Sequence, residues 1–285
     1  MFKLRIRSAG KDSVGVFRVL FISGAVMSFR DHLFAALFAG AVVAGMGAAS
    51  AQDGSSIWPR DIYFRVEGGG AWLAEDRGHW HGPGPGDPRV TFNIDDAGAF
   101  IGTAAIGATF YNGVRGDISL SYLSEMDIDA NWISPLPGPH ANINTDVSSW
   151  LIMANLFVEP LALAGYDSPI KPFVTGGIGV AFNEMDDWTR VNPFAVGPAV
   201  RTFDGNTETE FAWSLGGGVS AEVGDLFGTG SPVEIDLTYR YTDAGEAKGG
   251  STPISDNGNP PIEAFNYDNT FHAVSIGVRI PFSTY

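Results

Sequence analysis

There is no cysteine anywhere in this 285-residue sequence. That absence removes disulfides, thiolate metal sites and cysteine nucleophiles together. Basic residues are scarce too, 17 Lys and Arg against 32 Asp and Glu, for a formal net charge of −15. Phosphate binding needs a basic face, so this balance argues against a nucleic-acid partner. Beyond residue 51 no apolar run approaches the length of about 18 residues that marks a membrane-crossing helix. What is plentiful is glycine, 37 residues without a collagen-like period, roughly twice ordinary usage. Hydrophobic residues make up 45% of the chain, too many for a largely disordered one.

The first fifty residues read as an address label. Leu33 to Ala48 is a 16-residue apolar run, preceded by Arg30 and His32 and followed by Ala49-Ser50-Ala51. A short apolar segment leaving through A-x-A is the pattern of a cleaved secretory signal peptide, so residues 1–51 are predicted to be removed and Gln52 to start the mature chain. A second apolar stretch upstream is interrupted by Arg18, and Met27 is the more natural start. Removal takes away six of the 17 basic and two of the 32 acidic residues, leaving a net charge of −19. An exported protein without cysteine must find its stability elsewhere than in disulfides.

The mature chain alternates with period two, the signature of half-buried strands. In the C-terminal stretch His272, Val274, Ile276, Val278, Ile280 and Phe282 share one face, and Ala273, Ser275, Gly277 and Arg279 the other. Residues 233–242 and 210–223 repeat the pattern, and weaker versions cover about 170–183, 147–158, 114–123, 99–111 and 62–72. Eight strands of about ten residues are predicted, which suits strands tilted across a bilayer. Asn112-Gly113 marks a tight hairpin turn. Four segments, near 73–98, 124–146, 184–209 and 243–269, are predicted as long loops. Short turns on one side and long loops on the other predict an all-β fold, an eight-stranded antiparallel transmembrane β-barrel over 61–285, with residues 52–60 as a short periplasmic segment. A soluble exported sandwich would put its apolar face inward. Here the polar faces hold the small Gly, Ser, Thr and Ala suited to a narrow lumen, which favours the membrane barrel.

The stretches KPFVTGGIGVAF, FAWSLGGGVSAEV, IDLTYRYTDAG and HAVSIGVRIPF resemble the second half of the opacity/porin-like outer-membrane β-barrel family, eight-stranded barrels of the OmpA/OmpX type. Tyr239-Arg240-Tyr241 and the closing V-x-I-x-F are its most specific pieces. Two departures stand out: Ser283-Thr284-Tyr285 follow Phe282 where the family ends on an aromatic, and the outer segments are long. The resemblance implies an integral outer-membrane surface protein and fixes no ligand.

Catalytic chemistry is hard to find. His272 and Ser275 are three apart, so on a strand they face opposite sides and form no dyad. His79-Trp80-His81 projects two imidazoles to one side, but a metal site wants a third ligand and only Asp76 or Asp87 is nearby in sequence. His140 with Asp186 and Asp187 has no spacing that ties them into an acid–base site. No enzyme activity, cofactor or metal is expected. Nineteen acidic residues in the four outer segments face only Arg77, Arg89, Arg190, Arg201 and Lys248. Such charge ordinarily keeps a surface solvated; divalent-cation bridging to lipopolysaccharide is its functional alternative.

Inside the barrel the predicted inward faces gather Arg65, Glu67, Arg115, Asp117, Glu210, Glu222, Glu234, Asp236, Arg240 and Arg279. Isolated charges in so narrow a space are costly, so pairing across strands is expected. Arg279 is predicted to bond at least one of Glu67, Glu234 or Asp236, and Arg240 to pair higher up. Val274, Ile276, Val278, Ile280 and Phe282 are predicted to face lipid. The expected function is a structural or surface-interaction role, with a narrow solute channel as the alternative and a lipid-modifying enzyme behind it. Expected partners are outer-membrane lipid and lipopolysaccharide, the barrel-assembly machinery and an unidentified extracellular ligand of the loops. A monomer is favoured.

Overall fold

The computed structural model describes residues 61–136, 141–192, 199–226, 232–255 and 259–282. The signal peptide predicted over 1–51, the segment 52–60 predicted as periplasmic, His140, Pro193, Pro198, Asp256 and the final Ser283-Thr284-Tyr285 lie outside the described residues.

Among the described residues twelve strands follow in order: β1 (Asp61–Leu73), β2 (Arg77–His81), β3 (Arg89–Ile94), β4 (Gly98–Tyr111), β5 (Val114–Ser134), β6 (Asn142–Val158), β7 (Ile170–Met185), β8 (Trp188–Asn192), β9 (Ala199–Phe203), β10 (Asn206–Gly224), β11 (Val233–Lys248) and β12 (Glu263–Phe282). One helical turn, α1 (Pro160–Leu163), lies between β6 and β7. Eight strands close a ring of antiparallel ladders, β1-β4-β5-β6-β7-β10-β11-β12 and back to β1. The seam between β1 and β12 is long, running in register from Ile62↔Phe282 to Leu73↔Phe271. Closure leaves no free edge in this ring, which removes the usual hazard of an exposed strand.

Glycine makes the narrow bore possible. A Cβ on Gly107 would come within 2.5 Å of the Tyr63 ring, and one on Gly277 within 2.5 Å of Glu67 Cγ. At the β4–β5 turn Gly113 has φ +77°, a conformation that glycine adopts without penalty.

The strands run far past the length that a bilayer demands. β5 has 21 residues and β12 has 20, against about 9–11 for a tilted crossing. Much of what the sequence pattern predicts as loops 124–146 and 243–269 is therefore strand. The other two long segments hold short antiparallel pairs. β2 pairs with β12 and β3 with β5, continuing the sheet where β1 and β4 have stopped. β8 pairs with β6 beyond the end of β7, and β9 pairs with β8. Pro193 and Pro198, which argue against a regular pair in this segment, fall between β8 and β9 and leave both strands free of proline.

A change of phase explains why these outer strand ends read as loops. Low on β5, Ser119 and Ser121 point inward while Leu120 points out. A bulge between Leu123 and Met126 intervenes. Above it Met126, Ile128, Ala130 and Trp132 are buried inside, and Glu125, Asp127 and Asp129 face out. Polarity thus inverts along a single strand: apolar outside and polar inside below, apolar inside and acidic outside above. The upper interior is a dry core that includes Trp80, Phe92, Trp132, Trp188, Phe203 and Phe265. Trp188 stacks on Phe203 at 4.2 Å and donates its indole N–H to the Gly250 carbonyl at 2.9 Å.

Candidate functional site

The ring folds its inward charges into one network set against the rings of Tyr63, Phe157 and Phe173. Arg65, on β1, donates to Asp117 at 2.9 Å and also pairs with Glu67. Asp117 accepts further from Asn155 at 2.8 Å and from the Tyr63 hydroxyl at 3.2 Å. Arg279, on β12, pairs with Glu234 and with Asp236, whose carboxylate also accepts from Ser220 at 2.5 Å. Arg115 lies between the two halves, 3.3 Å from Glu159 and 3.7 Å from Asp236. Its guanidinium lies 4.0 Å from the Phe157 ring centroid, which Arg65 and Arg240 also approach. At the lower rim Lys171 bonds Glu222 at 2.5 Å and Glu234 at 3.1 Å.

Two of the predicted lumen residues behave differently. Arg240 forms no ion pair among the described residues; it donates to the side-chain Oδ1 of Asn155 at 2.9 Å and to the Ser214 hydroxyl at 3.3 Å. Amide and hydroxyl groups thus stand where the pattern predicts an acidic partner. Glu210 stays out of the network, standing at the Gly245 bulge above it. Glu159 and Lys171 were not anticipated. Parity offered a signal: Glu159 continues the inward series Asn155 and Phe157, and Lys171 the series Phe173 and Thr175.

Between the charged layer and the apolar core is a cavity of about 40 Å³, bounded below by Arg65, Glu67 and Arg240 and above by Leu151, Met153 and Phe271. That is room for a few water molecules at most.

The outward face is apolar and exposed. On β12 Val274, Ile276, Val278 and Phe282 are all exposed and Ile280 is half-buried, all on the outer side. Rings ornament the top of this band: Trp72, His272 and Tyr241 are level across three strands, and Tyr122 is level with Trp150. Phe110, Tyr111 and Phe282 are exposed at the bottom. Here His272 accepts from or donates to the Tyr239 hydroxyl at 2.8 Å, while Ser275 turns inward to Glu67.

Beyond that band the outer ends carry most of the acidic residues, many of them on strand faces. Asp146 sits near Asp127 and Asp186, and burial together with these like charges pushes its carboxyl up. Arg89 clasps Glu263 through two bonds of 2.8 Å, and this bond, with one from Asn266, holds the Glu263 carboxyl down at about 2. His79 and His81 share the outer face of β2, and His81 Nε2 bonds the Asp87 carbonyl oxygen at 2.8 Å. Among the described residues no three His, Asp or Glu side chains are grouped to hold a metal.

The closed ring defines the class: an eight-stranded antiparallel β-barrel of the outer-membrane type, extended on one side by extra strand pairs. No protein-family model matches the chain. Uncharacterized proteins of Brucella abortus and Brucella melitensis are 29% identical to it over 166 residues, covering 53% of this chain and 55% of theirs. The chain thus spans about half the length of the curated relatives it matches. Among solved structures, Neisserial surface protein A is 16% identical and aligns over 81% of this chain and 100% of its own, with a TM-score of 0.41. The outer membrane protein OprG from Pseudomonas aeruginosa is 14% identical over 79% of this chain and 99% of its own, with a TM-score of 0.45.

Proposed function

We propose that this chain is an integral outer-membrane barrel that holds a rigid, acidic β-structure at the cell surface, serving surface contact or envelope integrity rather than conduction or catalysis. The height of the apolar band supports the membrane placement. From Ile62 to Trp72 on β1, from Phe100 to Phe110 on β4 and from His272 to Phe282 on β12, the outward band spans the same ten-residue step. That step matches the 9–11 residues of a tilted crossing, with rings at both ends where the interfaces lie. An apolar belt of this size is not tolerated on a soluble monomer.

The filled bore is the observation that carries the non-conducting role. Two seals lie in series among the described residues: the ion-paired layer around Arg115 and Arg279, and the apolar core around Trp188 and Phe265. Eight strands enclose only enough space for side chains to fill. The barrel works as a monomer, in contact with lipid and lipopolysaccharide.

Planar-bilayer recording of the purified protein tests the role. The expected result is no steady unitary conductance. Steady openings that persist in Arg279→Ala would favour the rival reading of a narrow solute channel.

A further inference from the structure

Arg190 is an anomaly in the extracellular core. It is 9% exposed, and its guanidinium carbon lies 4.6 Å from the Trp80 ring centroid. Its Nε is buried without a hydrogen-bond partner. Directly opposite in the β8–β9 ladder stands Arg201, half-buried and of the same charge. Like charges directly across a ladder disfavour one another. Burial, then the Arg201 charge, pushes the Arg190 guanidinium pKa down, opposed by Asp87. The Asp87 carboxylate is turned to the Gly84 backbone N–H, at 2.8 Å. Among the described residues Arg190 has a ring for company and no carboxylate in salt-bridge contact, and a buried cation so placed is costly to keep.

We propose that Arg190 and Arg201 form an anion-binding site on the extracellular extension, one that takes a single oxyanionic group of an external ligand: sulfate, phosphate or carboxylate. An oxyanion between the two guanidiniums relieves their repulsion and supplies acceptors for donors left unmatched. Arg201, the more exposed of the two, makes first contact. Arg190, fixed against Trp80, supplies donors already stripped of water, where charge-assisted bonds are strongest. The acidic surface around the pair repels extended polyanions. The site therefore selects a compact ligand that presents one anionic group. This inference rests on the surface-barrel reading only for the side from which the ligand arrives.

Isothermal titration of the purified barrel in detergent tests it, with sodium sulfate, phosphate and acetate at constant ionic strength set by chloride. Saturable one-to-one binding of at least one oxyanion is expected, weakened tenfold or more in Arg190→Gln and in Arg201→Gln and unchanged in Arg77→Gln. Arg190→Lys, which keeps the charge but loses the planar fork, should bind with intermediate strength and stands in if Arg190→Gln does not fold. Glucuronate and galactose 6-sulfate, run beside the free ions, separate a sugar-borne group, which would bind more tightly, from a free ion. Absence of saturable binding overturns the proposal, as does binding untouched by both substitutions. So does binding that appears only in Asp87→Asn, since Asp87 would then be the resident counter-ion. None of these results depends on bilayer conductance, so failure here is distinct from failure of the barrel reading.

Discussion

Arg65 and Arg279 stand directly opposite each other across the β1–β12 seam, yet they turn to different carboxylates, Arg65 to Asp117 and Arg279 to Asp236. Two like charges in register at the point of closure would repel if left alone. Acids contributed by β5, which lies beyond β4 on one side, and by β11, the direct neighbour of β12 on the other, draw them apart. Tyr63 lies beneath both halves, its hydroxyl on Asp117 and its ring 5.5 Å from the Arg279 guanidinium. The seam is therefore held by the layer of side chains inside it as well as by its backbone ladder.

Breaking one member of that layer should be severe. Asp236→Ala leaves Arg279 and Arg115 facing each other in a dry space, and a loss of about 3–5 kcal/mol is expected. Asp236→Leu combined with Arg279→Met removes the charges together and should lose less than the sum of the single changes. Urea unfolding in lipid vesicles, followed by heat-modifiable electrophoretic mobility, checks both values.

The outward register predicts a contrast between neighbours. Ile276 points out at mid-band and Ser275 points in. Ile276→Arg should cost about 2–4 kcal/mol through contact with hydrocarbon. Ser275→Arg escapes that penalty and instead crowds the cavity beside Arg65. Equal reactivity of cysteines placed at 275 and 276 toward a lipid-soluble probe would refute the register.

Two acidic residues outside the band should respond to pH with opposite sign. The Glu263 carboxyl is held below its unfolded value, so its bond to Arg89 stabilises the fold above about pH 4.3 and is lost as pH falls toward 2. Because the Arg89 side chain is half exposed, solvent screening limits this to about 1 kcal/mol or less. Glu263→Gln should therefore destabilise at pH 7 and match wild type near pH 2. The Asp146 carboxyl is raised, so its charged form is disfavoured in the fold once pH passes that raised value. Asp146→Asn should stabilise at pH 7, with the gain vanishing below the ordinary carboxylate range. Unfolding midpoints measured between pH 2 and 7 give both signs.

The extracellular core should fail separately from the lower ring. Trp188→Ala removes a fully buried ring stacked on Phe203, with an expected local loss of about 3–5 kcal/mol. Limited proteolysis should then cut within 243–262 while the heat-modifiable mobility of the barrel persists. Loss of both together would mean that the two layers unfold as one.

The eight ring strands were legible because their alternation is local: on β12 Val274, Ile276 and Val278 declare the outer face, and Ser275 and Arg279 the inner one, by polarity alone. The Asn112-Gly113 turn was legible for a similar reason, since few residues accept the left-handed backbone there. The outer ends of the strands were not. Asp127, Asp129 and Asp146 read as loop charge because the rule of apolar outside and polar inside reverses once a strand leaves the lipid. Only the assembled sheet shows that Ile128 and Ile143 are inside at that height.

For the interior, the sequence by itself determined, through parity along a strand, the inward face of Arg65, Asp117, Asp236 and Arg279; the same parity reaches Glu159, just past the end of β6, and Lys171 on β7, which the predicted set leaves out. Which acid meets which base was decided by the tertiary structure, because partners such as Arg115 and Asp236 lie on strands that are not neighbours in the ring and meet only across the lumen. Sequence period carries the direction of a side chain. Distance between side chains comes from stagger and closure, and those belong to the whole barrel.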